Sequence, residues 1–310
     1  MASDIKTPTR VAWVERNLFM RRIRVGIRGS DVCLVVLPMK QFVLPFALLF
    51  LCLSLFGEKP NVVIVFTDDQ GYGDLACYGS KTNKTPRLDQ LAKEGTLFTS
   101  FYTQTVCGPS RSALLTGRYP CRSKGWGMPA SEVTFGELMQ KAGYQTACIG
   151  KWDVSNRKAI IDRMPNAQGF DYYFGTLGAN DGGGVKFHEN NKAAGTSRDM
   201  GELTTLYTDK SIEFLKKKRD PKKPFVLYLA HTMMHTIIDA SDRFRDKSKG
   251  GLYGDVVEEF DYETGRLLDT LEELGLSENT LFIYTSDNGP WNQDKYTKNK
   301  KGHPKGSIFW

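Results

Sequence analysis

Apolar residues in this chain fall into short runs that alternate with helical periods. Asn61–Thr67 (NVVIVFT) and Thr280–Thr285 (TLFIYT) are continuous and rich in β-branched and aromatic residues. That pattern predicts strands buried on both faces. Tyr144–Ile149 and Phe225–Ala230 read as two more strands, and Leu97–Phe101 suits another. Between them lie helical segments. Pro86–Glu94 places Leu88, Leu91 and Ala92 on one face, with Gly95 as its stop. A helix follows Pro109 to about Leu115. Thr134 with Glu137 forms a capping box opening a helix that ends at Gly143. Leu203–Arg219 and Val256–Leu274 complete the set, the latter amphipathic and stopped by Gly275. Residues 169–201 are rich in Gly and Asn and read as loop. Repeated strand–helix–strand order predicts an α/β domain, with a mostly parallel central sheet and helices on both faces.

In such sheets ligands bind outside the carboxyl ends of the strands. Two predicted strands end in acidic clusters. Asn61–Thr67 runs into Asp68-Asp69, and Thr280–Thr285 runs through Ser286 into Asp287-Asn288. Three carboxylates and an amide at one rim suit a hard divalent cation, Ca²⁺ or Mg²⁺, better than zinc. The alternative for each pair is a capped turn.

Charge adds less than its total suggests. The formal net charge is +7. Much of the excess lies in Lys6, Arg10, Arg16, Arg21, Arg22, Arg24 and Arg28, against Asp4, Glu15 and Asp31. The body is close to neutral, so nucleic acid is not an expected partner. Met39-Lys40 precedes an apolar run, Phe42 to Phe56, broken only by Pro45 and Ser54. A positive start and a short apolar stretch predict a signal peptide over 39–57, hence a periplasmic or secreted protein, with a membrane anchor as the alternative. Residues 1–38 then form an extension outside the fold. Lys216-Lys217-Lys218-Arg219 with Lys222-Lys223 reads as a solvated helix end, with a polyanionic substrate as the alternative.

None of Cys33, Cys52, Cys77, Cys107, Cys121 and Cys148 forms a CxxC pair or a zinc spacing. Cys107-Gly108-Pro109-Ser110-Arg111 opens a helix, with Pro109 in its first turn. Cys107 would sit at the positive end of that helix beside Arg111, a setting expected to favour an anion or thiolate. A buried structural cysteine is the alternative.

Cys-x-Pro-Ser-Arg followed by Leu115-Thr116-Gly117-Arg118 resembles the signature of the sulfatase family, in its arylsulfatase branch. Asn61 to Tyr78, Gly150-Lys151-Trp152, Tyr228 to His235 and Thr280 to Gly289 resemble further family blocks, in order, across about Pro60 to Pro290. The resemblance implies an alkaline-phosphatase-like fold and a catalytic domain over 58–310. It implies hydrolysis of an organic sulfate ester, aryl or carbohydrate, to alcohol and sulfate. Cys107 would be oxidised to formylglycine by a formylglycine-generating enzyme before folding. Its hydrate would attack sulfur, and elimination of sulfate would restore the aldehyde. Asp68, Asp69, Asp287, Asn288 and the modified Cys107 would bind Ca²⁺, with Mg²⁺ as a substitute. Arg111 and Lys151 would hold the hydrate and the sulfate. His235 would contact the ester and help the leaving group, while His231 reads as structural.

Two features depart from the family pattern. Position 153 is aspartate where the family has histidine after Gly-Lys-Trp. Asp153 is expected to act as the base of the elimination, with slower turnover or a shifted pH optimum because its reference pKa is near 3.9. The family's later lysine and C-terminal subdomain are expected to be absent, and Lys305 has no assigned counterpart. Two other readings stay open: a phospho- or phosphonate-ester hydrolase on the same fold, and a truncated, non-catalytic relative. Natural substrate and oligomeric state have no readable code.

Overall fold

The computed structural model describes residues 58–291. The basic N-terminal stretch, the expected signal peptide and Lys305 lie outside them. Among the described residues seven strands form one sheet: β1 (Asn61–Thr67), β2 (Gln145–Lys151), β3 (Tyr172–Thr176), β4 (Val185–Glu189), β5 (Lys192–Ser197), β6 (Phe225–Ala230) and β7 (Thr280–Ser286). Their spatial order is β5-β4-β3-β2-β6-β1-β7. β3, β2, β6, β1 and β7 are parallel, and β4 and β5 add antiparallel at one edge. The principal helices are α1 (Pro86–Glu94), α2 (Cys107–Thr116), α3 (Phe135–Lys141), α4 (Leu203–Glu213) and α5 (Gly251–Glu273). Among the described residues no helix is long and apolar enough to cross a membrane.

The strand period of two separates the core into two layers. Val63, Val65, Ala147, Ile149, Leu227 and Leu229 face α4 and α5, packing on Leu203, Tyr207, Val256 and Phe260. Ile64, Phe66, Cys148, Tyr228 and Ala230 face the other way, toward Leu115 of α2 and Phe135 of α3. Helices therefore cover both faces, as the strand–helix order predicts. The α3 capping box is present: Glu137 N–H donates to Thr134 Oγ1 at 3.2 Å, and Thr134 N–H donates to Glu137 Oε2 at 2.9 Å. Asp261 of α5 accepts the free N–H groups of Arg87 and Leu88, capping α1 from a distant element.

Four expectations need correction. β7 is a strand but not a buried one: among the described residues it is an edge strand, and Leu281 and Ile283 are exposed. Residues 169–201 are not loop; they hold β3, β4 and β5. β3 is buried along its whole length, and β4 turns into β5 through Asn190 at φ +52°. Gly175 lies there for close approach rather than for a turn, since a Cβ on it would meet Gly150 O at 1.8 Å. Leu97–Phe101 forms no strand, because it finds no sheet edge; Phe98 and Phe101 stay largely exposed. The long helix begins at Gly251, before Val256.

Gly150 closes the same contact from β2. It adopts φ +105°, and a Cβ there would lie 2.0 Å from Ala230 O on β6. Only glycine fits both constraints. This backbone geometry leads directly into Lys151 and Asp153. Gly150→Ala is expected to destabilise the domain by about 3 kcal/mol or more. The denaturant midpoint measures this; an unchanged midpoint would show that the strand ends relax freely.

Candidate active site

The parallel strands β1, β2, β6 and β7 end at one rim, and each delivers polar residues there. β1 leads into Asp68 and Asp69, β2 ends in Lys151 just before Asp153, β6 leads toward His231 and His235, and β7 leads into Asp287 and Asn288. α2 starts at Cys107, with Arg111 one turn on. All the predicted site residues thus converge on one pocket, and all but Asn288 are buried.

Charge organises the pocket. Lys151 Nζ donates to Asp68 Oδ2 and lies 3.7 Å from Asp153 Oδ2. Arg111 Nη2 lies 2.8 Å from Asp287 Oδ2 and 3.6 Å from Asp68 Oδ2. Nε also donates to Asp287 Oδ2 at 3.1 Å, Nη1 reaches Lys151 O at 3.2 Å, Nη2 reaches His231 O at 3.1 Å, and the guanidinium lies over Phe66. Burial opposes both cations, but Asp287 and Asp68 beside Arg111, and Asp68 and Asp153 beside Lys151, hold them charged. Burial also opposes the Asp68 anion, yet Lys151 and Arg111 outweigh it and lower its pKa. Asp69 and Asp287 are raised, by burial first and then by the charge of Asp68.

Four buried carboxylates therefore face two fully buried cations, with Arg157 bonding Asp153 from the half-exposed rim. Asp68 Oδ1, Asp69 Oδ2 and Asn288 Oδ1 are buried oxygens without a hydrogen-bond partner among the described residues. Ligand atoms of Asp68, Cys107 and Asp287 lie within 4.8 Å of one another. An excess of negative charge and uncommitted oxygens of this kind fit a hard divalent cation. Asn288 Nδ2 donates to Asp69 Oδ1 at 2.6 Å, which turns its own carbonyl oxygen inward.

Cys107 corrects one expectation. Its thiol is pushed up to about 12, chiefly by burial, with Asp68 and Asp153 adding to the effect against Lys151 and Arg111. The helix N-terminus does not make it a thiolate. Instead Sγ donates to Asp153 Oδ2 at 3.3 Å. Asp153 also accepts from Trp126 Nε1 at 3.0 Å and from Arg157 Nε at 2.9 Å. Sequence reasoning missed Trp126 and Arg157, because neither belongs to a motif. Asp69 and Asp153 both adopt left-handed backbone, at φ +55° and +53°. Such strain concentrates at functional sites.

The histidines divide. His235 Nε2 lies 3.9 Å from Asp69 Oδ2, and Nδ1 contacts Thr236 O at 2.5 Å. Asn180, buried, donates to the carbonyls of His235 and Ile237 at 2.9 Å each and so fixes this loop. His231 is packed edge-on between Tyr207 and Phe260, and its Nδ1 accepts from Met233 N–H. The basic run is distant from all of this. It precedes β6, at the opposite end of the strand, and Lys216 and Lys218 pair with Glu273 and Glu189.

A family model described as "Sulfatase" matches residues 60–308. The chain is 36% identical over 266 residues to N-acetylgalactosamine-6-sulfatase of Mus musculus, covering 75% of this chain and 51% of that protein. It is 31% identical to steryl-sulfatase of Rattus norvegicus, over 83% of this chain and 59% of that one. The chain thus spans about half the length of the curated relatives it matches. The solved structure of the PsFucS1 sulfatase from Pseudoalteromonas sp. matches with TM-score 0.68 and 29% identity, covering 84% of this chain and 61% of that one. The structure of Ps i-CgsB in complex with k-i-k-neocarrahexaose matches with TM-score 0.66 and 29% identity, over 75% and 59%.

Burial pulls His231 from 6.5 down to about 3. The unfolded chain therefore takes up a proton near 6.5, whereas the folded chain takes it up only near 3. Stability from this group is present above 6.5 and lost as pH falls between those values, at up to about 1.4 kcal/mol per pH unit. His231→Gln is expected to flatten the fall in urea midpoint below pH 6.5. An equal slope in both proteins would contradict a neutral buried ring.

Proposed function

Because the chain belongs to the sulfatase family, we propose that it hydrolyses a sulfate monoester of a carbohydrate or aryl alcohol, with residue 107 in its formylglycine form and Ca²⁺ at the acidic strand ends. One observation carries this reading. Cys107, Asp68 and Asp287 converge within ligand distance of one another, beside two fully buried cations, Arg111 and Lys151. A carbohydrate substrate is favoured by the relatives, which include N-acetylgalactosamine-6-sulfatase and the Ps i-CgsB complex. Export through the apolar run after Lys40 belongs to the same reading.

Asp68, Asp69, Asp287 and Asn288 would hold the ion, with residue 107 alongside. When bound, the ion supplies positive charge that favours an ionised oxygen nucleophile and offsets the charge of the ester. Formylglycine supplies that oxygen, which a thiol cannot. The protein's own residues do the rest. Lys151 and Arg111 concentrate fixed positive charge where water is excluded, so an anionic sulfate group is stabilised there without reorganisation. His235 donates Nδ1–H to the Thr236 carbonyl, which fixes the ring, and its doubly protonated form would give the Nε2 proton to the departing alcohol oxygen. Asp153 Oδ2 lies against the side chain of residue 107 and takes a proton from it. Asp153 is paired with Arg157, in the position where the family has histidine.

Protein made in a host with the maturation enzyme is expected to show a peptide mass at residue 107 for formylglycine, and to hydrolyse sulfate esters faster than phosphate monoesters. Cysteine at 107 with a faster phosphate reaction would favour the phosphoester reading; no turnover of either would favour a non-catalytic relative. Independently of activity, Ca²⁺ added to chelator-treated protein is expected to raise Tm, with about 2.7 kcal/mol of stabilisation at a hundredfold excess over Kd. Asp287→Asn should abolish that rise; an equal rise in the variant would place the ion elsewhere.

A further inference from the structure

Two of the groups that hold the Asp153 carboxylate, Trp126 and Arg157, lie outside every family motif, and Trp126 bonds the oxygen that faces residue 107. Oδ1 accepts from Arg157 Nε at 2.9 Å. Oδ2 is the oxygen that faces residue 107. The groups on Oδ2 are the Cys107 thiol at 3.3 Å, a weak donor, Lys151 Nζ at 3.7 Å, beyond hydrogen-bond range, and the Trp126 indole N–H at 3.0 Å. The indole is therefore the one strong donor on that oxygen among the described residues.

Three further features hold the indole in place. Its ring lies directly on Gly108, where an added Cβ would meet Trp126 Cδ1 at 2.2 Å and Nε1 at 2.3 Å. The indole can reach Asp153 across the start of α2 only because residue 108 has no side chain. The backbone of Trp126 is also tied to the turn that carries Asp153 and Arg157: Asn156 N–H donates to Trp126 O at 2.7 Å, and Gly127 pairs with Ser155 in an isolated antiparallel bridge. Trp126 is 37% exposed, so burial alone does not fix its ring. Asp153 itself sits at φ +53°, a backbone state that aspartate tolerates but does not favour.

We propose that Trp126 is a positioning residue, whose indole N–H holds the Asp153 carboxylate oxygen against the side chain of residue 107. Gly108 supplies the space for the ring. Trp126 acts through Asp153 and needs no contact with substrate. For its effect on turnover, the inference rests on the sulfatase reading above.

The test compares Trp126→Phe with wild type in the mature protein. Phenylalanine keeps a ring on Gly108 and removes the N–H. In a crystal structure of the variant, the carboxylate is expected to turn away from residue 107 while still bonded to Arg157. Turnover of a sulfate ester is expected to fall on the order of tenfold in kcat, with KM held within about twofold, as for a lost hydrogen bond to a charged group. Gly108→Ala should displace the indole from the opposite side and turn the same carboxylate, which keeps the test open if Trp126→Phe fails to fold. An unmoved carboxylate in either variant overturns the proposal, as does an unchanged kcat or a loss confined to KM. If wild type hydrolyses no sulfate ester, the functional reading fails, and the crystallographic comparison still decides whether Trp126 positions Asp153.

Discussion

Asp68 is a fully buried carboxylate at the end of a central strand, and it survives there only because Lys151 and Arg111 meet it. Removing one partner from a buried ion pair costs about 3–5 kcal/mol, because the other charge is left uncompensated. The fold around this point reads as a set of devices for delivering two cations to one anion. Gly150 brings β2 against β6 so that Lys151 arrives at the rim, and Phe66 of β1 lies under the Arg111 guanidinium. Arg111 in turn spans to Asp287 on the far side, joining α2 to the last strand.

The two cations do not finish the balance. Asp69, Asp153 and Asp287 share the site with Asp68, and Asp68 Oδ1 and Asp69 Oδ2 have no donor among the described residues. A domain stabilised for its own sake would not leave carboxylates crowded enough to raise one another's pKa. The surplus is intelligible as affinity held ready for a ligand of opposite charge. Burial first, and then the charges of Asp68 and Asp153, keep Cys107 a thiol.

Much of this was legible beforehand, for specific reasons. β1 and β6 are continuous apolar runs and are buried, β7 is a strand whose apolar run misleads about burial, and the Thr134–Glu137 box is present. Strand-end acids mark a rim because parallel topology puts strand ends together. Other features had no local signal. β3 to β5 were hidden by a high glycine content, in which Gly175 serves close packing while Gly169 and Gly183 take positive φ between elements. The thiol's protonation depends first on burial and then on Asp68 and Asp153, which surround Cys107 only in three dimensions. Trp126 and Arg157 reach Asp153 through a turn whose shape no spacing rule encodes.

The order of strands in the sheet, β2-β6-β1-β7, has a consequence in time. A chain emerges from synthesis N-terminus first. Cys107 is therefore made long before β6, which must insert between β2 and β1, and before β7, which brings Asp287 to Arg111. In the finished fold only 7% of Cys107 is exposed. On the proposed reading, an enzyme that modifies this cysteine would have its access during that interval, while the central strand is still unmade. Closure of the sheet then ends the opportunity, so a chain that folds before it is modified keeps its thiol sealed in place.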